Sequence, residues 1–163
     1  MAEPRRDSSL QRVNLVGGKL LVVEARFYET ISRKLMEGAR RAIAAAGATF
    51  DVVAVPGSLE IPIAAAIALE AAERAGRPYD GLVALGCVIR GETYHFEIVA
   101  GQSSRALIDL AVARRVPFGN GVLTVENEAQ AIARADPAQG DKGGDAARAA
   151  IALAALKRSL CAK

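Results

Sequence analysis

Four short apolar runs, spaced 30 to 40 residues apart, constrain the fold of this chain more than any other feature of its sequence. They begin near residues 20, 50, 82 and 122, and the clearest of them is Leu82–Ile89. Uninterrupted apolar runs of this length are typical of strands that are buried on both faces, as in parallel sheets. The intervals leave enough chain for the crossover helix that consecutive parallel strands require.

The segments between these runs carry helical patterns. Apolar residues recur every four positions between 31 and 43, which places them on one helix face, and Gly47 predicts the end of that helix. Ser58 is predicted to cap a second helix, which ends near Gly76. Three further helices are predicted at about 96–114, 128–135 and 144–160.

These elements predict the α/β class, with four parallel strands in one sheet and helices on both of its faces. A chain of 163 residues is long enough to bury one sizeable core. Residues 1–12 are polar and charged and are predicted to form a flexible N-terminal arm. Residues 13–163 are predicted to form a single domain.

Composition argues against several classes of protein. Lys and Arg number 21 against 18 Asp and Glu, so the net charge of +3 is too small to favour a nucleic-acid binder. No run reaches the roughly 18 apolar residues of a membrane span. One His and two separated Cys, Cys87 and Cys161, indicate neither a metal site nor a disulfide framework. With no signal-like segment at Met1–Asp7, we expect a cytoplasmic protein.

The residues with the richest chemistry follow the ends of the predicted strands, which is where parallel sheets bind their ligands. His95 is the only imidazole, and its ordinary pKa of about 6.5 suits proton transfer, although an exposed or capping histidine is the more common case at such a position. Thr93 lies at the same helix start, where free N–H groups favour an anion, but an ordinary cap is the more common use.

The ends of the first two strands carry further candidate binding residues, each of which also has an ordinary structural explanation. Phe27 follows the first strand and could stack on a planar heterocycle or belong to the core. Glu60 follows the second strand and could bind hydroxyl groups or simply favour the helix dipole. Arg134 and Lys142 lie near a helix end and a turn, where most charged side chains are solvated.

Taken together, these segments resemble the 6,7-dimethyl-8-ribityllumazine synthase family. The resemblance extends from about residue 20 to about residue 155. It is carried by six blocks in the family's order, of which the third is long and specific. The blocks are Ala25–Phe27, Val55–Pro62, Leu85–Phe96, Gly121–Thr124, Glu128–Ala131 and Lys142–Gly143.

The resemblance implies a fold and an activity. The fold is a flavodoxin-like three-layer αβα sandwich, and the subunits form a homopentamer with active sites between neighbours. An N-terminal segment, here near Arg12–Val16, adds to the next subunit's sheet. The enzyme is a transferase of riboflavin biosynthesis that condenses 5-amino-6-(D-ribitylamino)uracil with 3,4-dihydroxy-2-butanone 4-phosphate, without a metal or an organic cofactor.

The resemblance also implies a role for each matching residue. His95 is the catalytic proton shuttle. The phosphate is bound by Glu92 and Thr93, with Arg134 from the adjoining subunit. The uracil and its ribityl chain are bound by Phe27, Ser58, Leu59, Glu60, Val88 and Ile89, with Lys142 and the residue at position 120 from the adjoining subunit.

Position 120 departs from the family's pattern. The family commonly has Phe before Gly-Val-Leu-Thr, whereas this chain has Asn120. The lost ring predicts weaker substrate binding or slower turnover, and it leaves open a weakly active paralogue that mainly binds flavin or lumazine. The resemblance leaves the assembly open as well; we expect an isolated pentamer rather than paired pentamers or a 60-subunit shell, with riboflavin synthase as a candidate partner.

Overall fold

A four-stranded sheet separates two layers of helices in the computed structural model, which describes residues 13–162. The strands are β1 (Lys19–Ala25), β2 (Thr49–Val55), β3 (Gly81–Ile89) and β4 (Phe118–Val125), in the order β2-β1-β3-β4 with every neighbouring pair parallel. The helices are α1 (Glu29–Ala45), α2 (Glu60–Arg74), α3 (His95–Arg114), α4 (Glu128–Ala135) and α5 (Lys142–Cys161). The prediction of a flavodoxin-like α/β sandwich is confirmed.

Each face of the sheet has its own hydrophobic core, because successive strand residues point to opposite sides. Leu20 and Val22 of β1 pack in the core beneath α1, α4 and α5. Leu21 and Val23 pack in the core beneath α2 and α3. β3 is buried along almost its whole length, as its apolar run predicts. The longest helices, α3 and α5, have 20 residues each, and no helix within residues 13–162 has the length and apolar character to cross a bilayer.

The element boundaries agree with the predictions except at three places. β4 begins at Phe118, about four residues before the predicted start, because Phe118–Gly121 already pair with Leu82–Leu85 although Gly and Asn interrupt the apolar pattern. α5 begins two residues early, at Lys142. The predicted cap at Ser58 is wrong, since Leu59 holds the N-cap position of α2 without a side-chain hydrogen bond.

The helix ends at Gly47 and Gly76 are confirmed by backbone geometry. Both residues have positive φ angles, 73° and 67°, a conformation that only glycine adopts without strain. The proposed arm, residues 1–12, lies outside the described residues, and so does Arg12 of the segment expected to pair with a neighbour. Leu15 is 1 % exposed, and its N–H donates to the Ala46 carbonyl 2.8 Å away, so the chain is anchored to its own domain from that point.

Candidate active site

A pocket of about 480 Å³ opens at the carboxyl edge of the sheet. The turns after β1, β2 and β3 and the first turns of α3 contribute to it. The lining residues are Phe27, Tyr28, Pro56, Gly57, Ser58, Leu59, Glu60, Cys87, Val88, Ile89, Gly91, Thr93, His95, Phe96 and Val99.

The strand order explains why a cleft forms at this edge. β1 and β3 are neighbours in the sheet, but β1 leads into α1 on one face and β3 leads into α3 on the other face. The two connections therefore diverge and leave a crevice between them, as at the switch point of other open α/β sheets.

The segment after β1 presents an aromatic ring to this crevice. Phe27 is 70 % exposed, although the backbone of the two residues before it is held by hydrogen bonds. The Arg26 N–H donates to the Val55 carbonyl at 3.0 Å, which extends the pairing of β1 with β2. The buried Ser32 hydroxyl donates to the Ala25 carbonyl at 2.9 Å. The ring is thus carried by a fixed turn and open to a ligand on its outer face.

The segment after β2 forms the opposite wall. Ser58 is buried, and its Oγ would lie only 3.1 Å from a Cβ built on Gly86, so glycine at this position of β3 leaves room for the close approach of the serine. Glu60 is exposed at the first position of α2, with its Oε2 close to Gly57. This wall therefore offers a carboxylate and backbone groups of a tight turn to the pocket.

Arg90 holds the connection between β3 and α3 at both of its ends. Its N–H donates to the Val125 carbonyl at 2.9 Å, and its Nε donates to Glu126 at 2.7 Å. Its guanidinium also bonds Glu97 in the first turn of α3 and lies 4.1 Å from the centre of the Phe96 ring. The connection that carries Thr93 and His95 is therefore fixed to the end of β4 and to α3.

The charge states at the pocket follow from these contacts. The hydrogen bond from Arg90 lowers the pKa of Glu97 below its ordinary value, so this glutamate stays ionised. Burial raises the pKa of the Cys87 thiol to about 12, which makes it a neutral wall residue near neutral pH and not a nucleophile. The pKa of Tyr28 is raised too, first by burial and then by the nearby Cys87 and Glu128.

Eight of the twelve residues predicted from the sequence line this one pocket. They come from three separate strand ends, and His95 and Thr93 are exposed at the mouth formed by the start of α3. The eight are Phe27, Ser58, Leu59, Glu60, Val88, Ile89, Thr93 and His95.

The other four predicted residues do not line the pocket of their own subunit. Glu92 is exposed next to it. Asn120 is exposed on β4 and pairs with Ala84, four positions or roughly 13 Å before the carboxyl edge where Thr124 pairs with Val88. The remaining two, Arg134 and Lys142, lie at the end of α4 and the start of α5.

Several lining residues were not predicted as site residues. Cys87 lies beside Val88 on β3, and its side chain points to the opposite face of the sheet. Phe96 and Val99 follow His95 on α3, at positions that the helical repeat brings to the same side as the pocket. Tyr28 follows Phe27 directly. Their position next to the predicted residues in the sequence could have indicated that they belong to the site, but adjacency in sequence does not show which neighbours face the crevice.

Among residues 13–162, no three His, Cys, Asp or Glu side chains come together as metal ligands. What the pocket offers is an exposed aromatic ring, an exposed carboxylate and an imidazole at a helix start. Free N–H groups at that helix start favour an anion. The arrangement can hold a flat ring and an anionic group side by side, with one group able to move a proton between them.

Comparisons with known proteins match nearly the whole chain to one family. A family model described as 6,7-dimethyl-8-ribityllumazine synthase matches residues 17–158. Proteins of that name are similar over nearly the whole chain. One from Methylocella silvestris is 60 % identical over 97 % of this chain and 96 % of its own length. Others, from Azorhizobium caulinodans and Rhodopseudomonas palustris, are 59 % and 57 % identical over at least 97 % of both chains.

Proposed function

This chain belongs to the 6,7-dimethyl-8-ribityllumazine synthase family, and we propose that the pocket at the β1/β3 edge carries out the family's reaction. 5-Amino-6-(D-ribitylamino)uracil and 3,4-dihydroxy-2-butanone 4-phosphate are joined to give 6,7-dimethyl-8-ribityllumazine, inorganic phosphate and two waters. An amine nitrogen first attacks the ketone and water leaves. Elimination of phosphate and a ring closure that expels the second water complete the product. These steps involve no net oxidation or reduction, so the reaction needs no redox cofactor.

The wall residues provide the binding surfaces for the pyrimidine. Phe27 stacks on the flat ring, and its exposed outer face supports this role. Val88 and Ile89 offer backbone groups to the uracil. Ser58, Leu59 and Glu60 follow the ribityl chain, with the exposed Glu60 carboxylate accepting hydrogen bonds from its hydroxyls.

The start of α3 provides the chemistry at the second substrate. Glu92 and Thr93, chiefly through backbone N–H groups, bind the phosphate of the butanone, and the helix dipole favours this anion. His95 accepts and returns protons during imine formation and phosphate elimination. The adjoining subunit contributes Arg134 to the phosphate and Lys142 near the substrate.

Orientation accounts for most of the expected rate enhancement. Holding an amine beside a ketone in reactive geometry lowers the barrier by several kcal/mol, on the order of 7 kcal/mol where the alignment is good. A proton shuttle and a site for the departing phosphate contribute the rest. Because orientation supplies most of the enhancement, a single histidine is enough to carry out the proton transfers of the reaction.

The observation that carries the proposal is the convergence of eight predicted side chains at one pocket in a chain of this family. The test is to mix the purified protein with both substrates and follow lumazine fluorescence. We expect product well above the uncatalysed rate. Product at only the uncatalysed rate, with flavin or lumazine still bound, would overturn the proposal in favour of a binding protein.

We also propose that the site is completed between subunits of a homopentamer. Three observations support this. Asn120, Arg134 and Lys142 do not line their own subunit's pocket. The outer edge of β2 has no strand partner among the described residues, and unpaired edges favour pairing with another chain. Large apolar side chains, which favour a protein interface, are exposed on α2 and α3, namely Ile63, Ile67, Ile98, Ile108 and Val112.

Two measurements test the shared site. Light scattering should give the mass of about five 17.0-kDa chains, and a mass near sixty chains would contradict the isolated pentamer. His95→Ala and Arg134→Ala proteins, each expected to be less active than the wild type, should gain activity when they are unfolded together and reassembled, because some sites then combine two intact contributions. Failure to gain activity, with reassembly verified, would contradict a shared site. A cytoplasmic location and association with riboflavin synthase stay predictions.

A further inference from the structure

Tyr28 lines the pocket beside Phe27 but has no role in the reaction as proposed above. The two rings meet edge to face, with centroids 5.0 Å apart and planes inclined by 69°. Tyr28 is half-buried and packs against the core beneath α1, whereas Phe27 is 70 % exposed. The Tyr28 ring is therefore anchored in the protein, and the Phe27 ring is anchored mainly by its contact with Tyr28.

The backbone of Tyr28 is as firmly held as its ring. Its carbonyl accepts a hydrogen bond from the Ser32 N–H at 2.9 Å and lies 3.0 Å from the Ser32 hydroxyl. Tyr28 also occupies the N-cap position of α1, with no side-chain hydrogen bond to the helix. The position gives up the capping bond that Asn, Asp or Ser would supply, and its side chain contacts Phe27 instead.

We propose that Tyr28 is a positioning residue whose ring, in edge-to-face contact with Phe27, holds the Phe27 ring in the orientation that stacks on the pyrimidine. This inference rests on the proposed function, because it takes the pyrimidine as the ligand. An exposed side chain without such a contact exchanges between rotamers and loses that freedom when a ligand binds. A ring that is already oriented loses less entropy on binding, so the effect is expected in affinity for the pyrimidine.

The hydroxyl of Tyr28 offers a competing explanation. It makes no hydrogen bond to any residue in the 13–162 range, so it is available to a substrate. Burial and the nearby Cys87 and Glu128 keep it protonated by raising its pKa. Tyr28→Phe separates the two explanations, since it keeps the ring and removes only the hydroxyl.

The experiment compares steady-state kinetics of the wild type, Tyr28→Leu and Tyr28→Phe, with each substrate varied in turn. Tyr28→Leu should raise the KM for the pyrimidine by about two- to tenfold. Its kcat and its KM for the butanone phosphate should stay within about twofold of the wild type. Tyr28→Phe should behave as the wild type does. The matched control is Tyr79→Leu, at the opposite edge of the sheet, where Tyr79 bonds Asp51 and does not line the pocket.

Equilibrium binding of 6,7-dimethyl-8-ribityllumazine, followed by its fluorescence, gives a second readout that needs no turnover. Tyr28→Met, which fills the core with an unbranched chain but has no ring, replaces Tyr28→Leu if the latter does not fold. An unchanged pyrimidine KM in the folded variant would overturn the inference. So would an equal loss in Tyr28→Phe, or an equal rise in both KM values. A wild type that forms no lumazine would overturn the proposed function instead.

Discussion

Glu24 and Arg26 form an ion pair at the carboxyl end of β1, directly before the turn that carries Phe27. The Glu24 Oε1 lies 2.6 Å from the Nε and 2.5 Å from the Nη2 of Arg26. Glu24 is only 4 % exposed, while the Arg26 side chain keeps 62 % of its surface in contact with solvent. An exposed guanidinium thus neutralises a carboxylate that is almost entirely buried.

Removing the guanidinium should destabilise the fold. Arg26→Met keeps much of the side-chain volume but leaves the buried Glu24 carboxylate without its partner. We expect the free energy of unfolding to fall by about 1 to 3 kcal/mol, measured by urea denaturation at neutral pH. Arg26→Met combined with Glu24→Gln is the matched variant, since the remaining side chain is uncharged. It should recover part of the loss, and a double variant as unstable as the sum of both single changes would contradict the pairing.

Close packing of β4 against α5 should make Gly119 intolerant of any side chain. A Cβ built on Gly119 would lie 1.8 Å from the Ala146 carbonyl oxygen, a backbone atom that cannot move without shifting α5. Gly119→Ala should therefore cost about 1 to 3 kcal/mol of stability in thermal or urea unfolding. Gly101→Ala is the matched control, because its Cβ would meet nothing within 4 Å in α3. That change should be neutral or stabilise by up to about 1 kcal/mol.

Stability should decline in alkaline solution. Burial raises the pKa of Cys87 from 9.0 to about 12, so between those values the unfolded chain loses a proton that the folded chain keeps. The free energy of unfolding therefore falls as the pH rises through this window. Urea unfolding from about pH 8 to pH 11 should show a shallower decline for Cys87→Ala than for the wild type.

Tyr79 is a second group that contributes to the alkaline loss of stability. Burial and its hydrogen bond to Asp51 raise the pKa of Tyr79 to about 12, so it contributes to the same decline. Tyr79→Phe should also flatten the profile, and both changes together should flatten it further. If Cys87→Ala leaves the slope unchanged, the thiol is not protected from ionisation in the folded state.

His95 should contribute to turnover and not to folding. The residue is exposed at the first position of α3, so His95→Ala removes no buried contact. We expect kcat/KM for lumazine formation to fall by about 10²-fold, the lower end of the usual range for general acid–base catalysis, because orientation persists. The melting temperature should change little. Activity equal to that of the wild type would remove His95 from the mechanism.

Replacing Asn120 by Phe should strengthen pyrimidine binding if a neighbouring subunit brings this position to the site. The added ring should lower the KM for the pyrimidine by about fivefold, equivalent to about 1 kcal/mol. Asn120→Leu is the matched control: it adds apolar volume without a ring, and like Asn120→Phe it removes the Oδ1 that accepts from the Val122 N–H at 3.0 Å. It should gain less than Asn120→Phe. A Michaelis constant that stays the same or worsens in Asn120→Phe would count against the lost-ring prediction.

Much of the fold could be predicted because a strand buried on both faces leaves a local signature. Leu82–Ile89 is apolar without interruption, and the structure buries it almost throughout. Gly47 and Gly76 marked helix ends because a left-handed residue is a local requirement of the backbone. β4 was predicted too short because its first residues are specified by pairing with β3 and not by their own composition.

The site was predicted in part for a similar reason. Residues in the connections that follow strands, such as Phe27 and His95, can be located once the strands are known, because parallel strands share one carboxyl edge. Arg90 was not predicted as an anchor, since its partners Glu97 and Glu126 belong to different elements and meet only in the folded chain. The roles of Asn120, Arg134 and Lys142 depend on a second subunit, so they stay predictions.

By itself, the sequence determined the class of fold, the strand and helix order and the edge of the sheet where the pocket opens, because these follow from hydrophobic periodicity and backbone preference along the chain. The tertiary structure decided which strand ends meet, that Ser58 packs on Gly86 and does not cap a helix, and that the rings of Tyr28 and Phe27 are in contact. Those contacts depend on the order β2-β1-β3-β4 and on the helices diverging to opposite faces. The strand ends, like Ser58 and Gly86, are far apart along the chain and become neighbours only when the sheet has formed, so the sequence does not indicate that they are in contact.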